Sequence, residues 1–219
     1  MFAVPTRHFS HSKTYGDIDW GDRNLVLDAI RTRFNEWYVL PMNALDSVAG
    51  GGFSEVALGC ILIDMISQYV YNLKESKGER FRELLDDFIP EIKIVSKVSI
   101  DTGKIRNKKK IILKSGADVV WQGFRCGILH EANAYMCCKV SGGPPVFRIE
   151  TDQTFGEGGA TFDTFVINPG LFRDKVTEIF DGYFEALIQR KNFGIHTAAT
   201  IENNFKEKFS RAFGFKLTY

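Results

Sequence analysis

One run of the chain, Ser54 to Lys74, reads as a helix with apolar side chains on almost every side. A helix apolar all round has to be covered on more than one side. The fold must therefore lay other elements against it. Its apolar stretch, Val56 to Tyr71, is shorter than the roughly 20 residues a bilayer span needs. Asp64 and Gln68 also interrupt it. The run is therefore expected as a helix buried on more than one side in a soluble, cytoplasmic protein that does not enter a membrane. Met1 to Trp20 has no apolar core of a signal peptide. Ser54 is the expected N-cap, with Glu55 at the positive end of the helix dipole. Asp64 is the exception in the run. Such a carboxylate points to a wet edge, pairs with a cation or lines a site. A partly exposed position and a place beside Arg125 are both open.

Other segments are read as further helices and a hairpin. Asp22 to Leu40 has helical spacing and is expected to end at Pro41. Glu79 to Phe88 turns Phe81, Leu84, Leu85 and Phe88 inward. Asn168-Pro169 opens a helix to about Lys191, with Phe172, Val176, Ile179, Phe180, Tyr183 and Leu187 inside. A last helix is expected from about Thr200 to Phe213. Val146 to Ile149 and Thr161 to Ile167 are strand-like, joined by a glycine-rich turn. The expected fold is mainly α: an antiparallel helical bundle with a small β-hairpin inserted near residues 146–167. Residues 1–50 form an arm and a helix on the core, and residues 51–219 the helical domain, within one compact domain.

Several function classes drop out. Nineteen phenylalanines and 44% apolar residues argue against disorder. A net charge of +1 gives no bulk attraction to nucleic acid, so any RNA contact has to be local. Ala49 to Gly52 is glycine-rich, but no Lys-Ser/Thr follows, so it is no phosphate-binding loop. His8 and His11 sit in a loose arm rather than on a metal-binding helix. Cys60, Cys126, Cys137 and Cys138 lack paired zinc spacing and read as reduced thiols. The adjacent pair Cys137-Cys138 is badly placed for an ordinary disulfide. Residues 93–113 mix extended and turn signals around Lys104, Arg106, Lys108, Lys109 and Lys110. That charge run is expected as a solvated loop; in the functional reading it holds an RNA backbone.

The stretch from Gly116 to Tyr135 carries the chemistry. At about 100° per residue, Ala117, Trp121, Phe124, Ile128, Ala132 and Tyr135 share one face. Val119, Gly123, Cys126, Gly127, His130 and Ala134 share another, and most of these are small. Glycine inside a helix costs about 1 kcal/mol against alanine, so close approach of another helix is expected there. His130 lies on the small face, five residues after Arg125. On an ideal helix five residues give an offset of about 140° and about 7.5 Å. The two meet if the Arg125 side chain wraps round, if the helix is locally irregular, or if two copies of the helix face each other.

The segment Phe124-Arg125-Cys126-Gly127-Ile128-Leu129-His130-Glu131 resembles the HEPN superfamily, whose hallmark is Arg-x4-6-His, and specifically its prokaryotic form. The apolar helix near Ile61 to Asp64 and the later Val166-Ile167-Asn168-Pro169 are similar to bacterial members too. The resemblance covers roughly residues 54 to 190. It implies a metal-independent endoribonuclease without cofactor, acting at a homodimer cleft, with RNA as substrate and a 2′,3′-cyclic phosphate product. It also implies a role as a toxin or an anti-phage effector, with an antitoxin protein as a further partner.

The residues suit that chemistry. The RNA 2′-hydroxyl is a nucleophile already beside its phosphate. His130 can act as base or acid near neutrality. Arg125 offers a permanently charged fork to the growing phosphorane charge. Arg125 and His130 are thus the candidate catalytic pair, with Cys126, Asp64 and Glu131 in supporting places, Glu131 as an ion-paired or solvated neighbour. One departure stands out: nucleolytic members commonly carry Asn, Asp or His after the arginine, whereas Cys126 is a weak hydrogen-bonding partner. The alternative is a catalytically inactive module binding RNA, a nucleotide or a protein in the same cleft.

Overall fold

The computed structural model describes residues 8–95, 100–106, 109–127, 138–155, 160–214 and 216–219. The chain is mainly helical, with a small sheet. Its centre is α3 (Gly52–Val70), and buried side chains line almost its whole length. It starts two residues before the expected Ser54, which caps nothing; Gly50, at φ +80°, makes the turn into it. With 19 residues, α3 is long and apolar enough to cross a membrane by length and composition alone, longer than the apolar stretch read from the sequence. Of that span, 61% is buried inside the protein, as in a core helix.

The helices before α3 form one irregular path. α1 (Arg23–Phe34) is capped by Asp22, whose carboxylate accepts from the backbone of Asn24 and Leu25. A π-helical segment (Asn35–Val39) follows, then α2 (Leu40–Leu45). The expected stop at Pro41 does not occur. The missing proline N–H falls in the first turn of α2, where no helical partner is needed, and the widened turn ahead of it absorbs the ring.

α4 (Gly78–Phe88), α7 (Pro169–Gln189) and α8 (Ala198–Phe213) cover α3, together with α2. α5 (Glu91–Val95) and α6 (Gly116–Val119) are short. α7 begins as expected, with Asn168 accepting from the Leu171 backbone and Pro169 in its first turn. Phe172, Val176, Ile179, Phe180, Tyr183 and Leu187 are all buried along it.

Residues 100–113 differ from the expected solvated loop. β1 (Ile100–Arg106) and β2 (Lys109–Leu113) pair antiparallel, with Arg106 opposite Lys109. Lys104 and Arg106 are thus on one strand and Lys109 and Lys110 on the other. Lys108 lies outside the described residues. The β-branched Ile100, Ile105, Ile111 and Ile112 outweigh the charge run locally. The expected second hairpin is present and longer than read: β4 (Phe147–Phe155) pairs antiparallel with β5 (Ala160–Ile167). β3 (Cys138–Val140) joins β5 in parallel, making a three-stranded sheet in the order β3-β5-β4.

One hydrophobic cluster runs from Phe9 to Leu217 and takes in α1, α3, α4, α7, α8 and the sheet. The arm belongs to it: Phe9 is fully buried and packs edge-on against Tyr15 and Trp20.

Candidate functional site

Helix α6 does not continue as a regular helix. Val120–Cys126 forms a π-helical segment, so the even 100° progression read from the sequence does not hold there. Such segments are frequent at functional sites. Gly123 lies in its middle and is buried; a β-carbon there would fall 2.4 Å from the Cys138 sulfur. The helix expected against the glycine face is not what lies there: strand β3 makes the close approach at Gly123. Ala117, Val119 and Phe124 are fully buried. Ile128, His130, Glu131, Ala132, Ala134 and Tyr135 lie outside the described residues.

Arg125 stands near the end of the π segment and reaches α3. Its Nη2 donates to Asp64 Oδ2 at 2.7 Å and to Ser76 Oγ at 3.1 Å. The Ser76 hydroxyl donates to Asp64 Oδ1 at 2.6 Å. Asp64 is therefore not the partly exposed residue that one reading allowed. Its side chain is 8% exposed and that of Arg125 15%. The guanidinium also lies over the Trp121 ring, 4.6 Å from its centre. Trp121 leans on Phe81 at 5.0 Å, and Gly78 leaves room for it: a β-carbon there would meet Trp121 Nε1 at 2.5 Å. Three elements thus hold one guanidinium: α3, the loop before α4, and the π segment.

Among the described residues, Arg125 has donors without an acceptor. Both Nη2 hydrogens have acceptors. Nε is buried, and neither it nor Nη1 donates to any described residue. A guanidinium carries five N–H donors, and an oxyanion is its best-matched partner. Cys60, one turn before Asp64, is fully buried; burial pushes its thiol up, against a smaller opposing effect of Arg125, so it stays protonated and is no nucleophile. Cys126 is half-buried beside Arg125.

Sequence reasoning missed Ser76, Trp121 and Cys60. Trp121 precedes Arg125 by four residues, a spacing that could have flagged it. Ser76 sits in a loop 49 residues from Arg125, and no local signal marks it. A cavity of about 420 Å³ lies elsewhere, lined by Arg23, Arg190, Glu202, Lys206 and Tyr219. Arg23 there is already held by both oxygens of Glu202, at 3.0 and 2.5 Å. Among the described residues, no set of three His, Cys, Asp or Glu side chains is arranged to hold a metal ion.

Comparison of the chain with protein-family models, with curated proteins and with solved structures gives no match in any of the three.

Proposed function

We propose that this protein is a metal-independent endoribonuclease of the HEPN type, with Arg125 and His130 as its catalytic pair in a cleft completed by a second copy of the chain. One observation carries the reading. Arg125, the cation assigned to the scissile phosphate, is oriented by Asp64, Ser76 and Trp121, yet keeps Nη1 and Nε unengaged by described residues. A guanidinium fixed before substrate arrives loses little conformational freedom on binding, which is what electrostatic stabilisation of a phosphorane requires.

In the proposed reaction His130 removes the proton of the 2′-hydroxyl or protonates the 5′-oxygen leaving group. The 2′-oxygen attacks phosphorus, the P–O5′ bond breaks, and a 2′,3′-cyclic phosphate and a 5′-hydroxyl remain. Arg125 balances the charge on the non-bridging oxygens. A toxin or anti-phage setting, with an antitoxin partner, is the biological role that goes with this chemistry.

The same geometry favours a second reading, a non-catalytic module that binds RNA or a nucleotide. The Asp64 carboxylate offsets the charge of Arg125, and Cys126 stands where a polar residue is usual. Purified protein incubated with RNA in the presence of EDTA separates the two. The nuclease cleaves and His130→Ala does not. Intact RNA that is nonetheless bound supports the module. Light scattering adds a second criterion, since a strict monomer contradicts a shared cleft.

A further inference from the structure

The loop between α3 and α4, residues 71–77, is held along its length by cationic side chains. Arg125 takes Ser76 at its far end. Lys208 of α8 donates to the Leu73 carbonyl at 2.9 Å and to Gln68 Oε1 at 2.8 Å. Arg211, one turn on, donates to the Asn72 carbonyl at 3.0 Å and to the Asn72 side chain. Asn204 reaches the Val70 carbonyl at 2.5 Å. Asn72 itself is held at φ +55°, a left-handed conformation that a residue other than glycine adopts at a cost. α8 therefore fixes the path of this loop.

The result is a basic strip beginning at Arg125. Asp64 and Gln68 are one turn apart on α3, a rise of about 6 Å, so Arg125 and Lys208 flank neighbouring turns of the same helix. Lys74 stands between them on the loop, exposed, with no partner among the described residues. Among the described residues Lys208 is bound only to neutral acceptors; burial and nearby Arg211 lower its proton affinity, partly offset by Asp64. Its ammonium has three donors and gives two of them to described residues. Among the described residues, three carboxylates are paired on the strip. Asp64 is taken by Arg125, Glu75 by Lys77 at 2.6 Å, and Glu207 faces Asn72 and, at 3.8 Å, Arg211. Five cations against three carboxylates leave a local surplus in a chain whose net charge is only +1.

We infer that this strip is the track along which a single-stranded RNA backbone leaves the Arg125 site, with Lys74, Lys208 and Arg211 contacting successive phosphates. The inference rests on Arg125 being a phosphate contact, and it assigns the backbone to residues outside the Lys104–Lys110 run.

The test is the salt dependence of binding, read by fluorescence anisotropy on a 2′-O-methyl RNA oligonucleotide that cannot be cleaved. Each lost phosphate contact on a single strand should reduce the slope of log K against log salt by about 0.7. Lys74→Gln, Lys208→Gln and Arg211→Gln are each expected to do so, and Lys74→Arg to restore the slope. Lys74 has no described contact to lose, so its variant keeps the test clear of folding defects. If Arg125→Gln lowers the slope and the three others leave it unchanged, the track is wrong and the Arg125 reading stands. If the wild-type protein binds no RNA at low salt, both are wrong.

Discussion

Arg125 and Asp64, 61 residues apart in the chain, meet at 2.7 Å in a site where neither side chain is more than 15% exposed. A buried ion pair often contributes little net stability, because desolvation of both charges opposes their attraction. Removing one partner is different, because it strands the other charge away from water. The pair therefore makes the orientation of Arg125 depend on α3.

Asp64→Leu should destabilise the fold by about 3–5 kcal/mol. Adding Arg125→Met should recover most of that loss, since the stranded charge is then gone. Urea denaturation of the two single variants and the double variant measures the coupling. Additive losses would mean that the two groups do not depend on each other.

Gly123→Ala should cost about 1–3 kcal/mol through overpacking, because the new methyl group falls 2.4 Å from the Cys138 sulfur. Cys138→Ala should rescue it, since that variant removes the sulfur while the Cys138 β-carbon lies 3.9 Å from the new one. Thermal melts of the single and double variants give the comparison. A loss in Gly123→Ala that Cys138→Ala leaves untouched would show that the helical segment rather than the contact is at fault.

The helices were legible because they carry their own evidence. Phe172 to Leu187 repeats at helical spacing between an Asn-Pro start and a left-handed Arg190 end, and the structure follows it. Pro41 misled because its effect depends on whether its N–H is needed, which a widened turn at Asn35–Val39 decides. The Lys104–Lys110 run misled because strand pairing is a property of two segments, and charge describes only one. At the site, Asp64 stood out as a carboxylate in an apolar helix, and its pairing with Arg125 was one of the open options. Ser76 and Lys208 were not legible. A serine in a polar loop and a lysine on an amphipathic helix look ordinary until tertiary packing brings them to α3.

His196 gives the protein an acid sensitivity that can be assigned. Its ring meets Tyr71 edge-on at 4.9 Å, and its Nε2 is buried without a hydrogen-bond partner among the described residues. Burial lowers its pKa below the ordinary 6.5; Asp87 and Glu83 pull it up, and Arg80 pushes it down. The unfolded chain therefore takes up the proton first. The stability tied to neutral His196 is fully present above that ordinary value and is lost as pH falls through the lower folded value. Urea midpoints across pH about 5 to 8, the range in which histidine titrates, should fall on the acid side. His196→Phe should flatten that fall. A variant with the same acid slope would assign the sensitivity elsewhere.

Arg125→Lys keeps the charge and loses the planar fork. RNA cleavage should drop roughly 10²-fold or more, as when one oxyanion donor is removed, while RNA binding changes little. Cleavage rates set beside binding curves measure the split. Equal losses in both would make Arg125 a binding residue only.

Mass spectrometry of the RNA ends after incubation with EDTA tests the ribonuclease mechanism most directly. A folded wild-type protein should leave 2′,3′-cyclic phosphate and 5′-hydroxyl ends, and a single 2′-deoxy substitution at the cleaved position should abolish the cut. His130→Ala and Arg125→Met should yield neither product. Cleavage at the deoxy position, or the same ends from both variants, would contradict an internal 2′-hydroxyl attack carried by this pair.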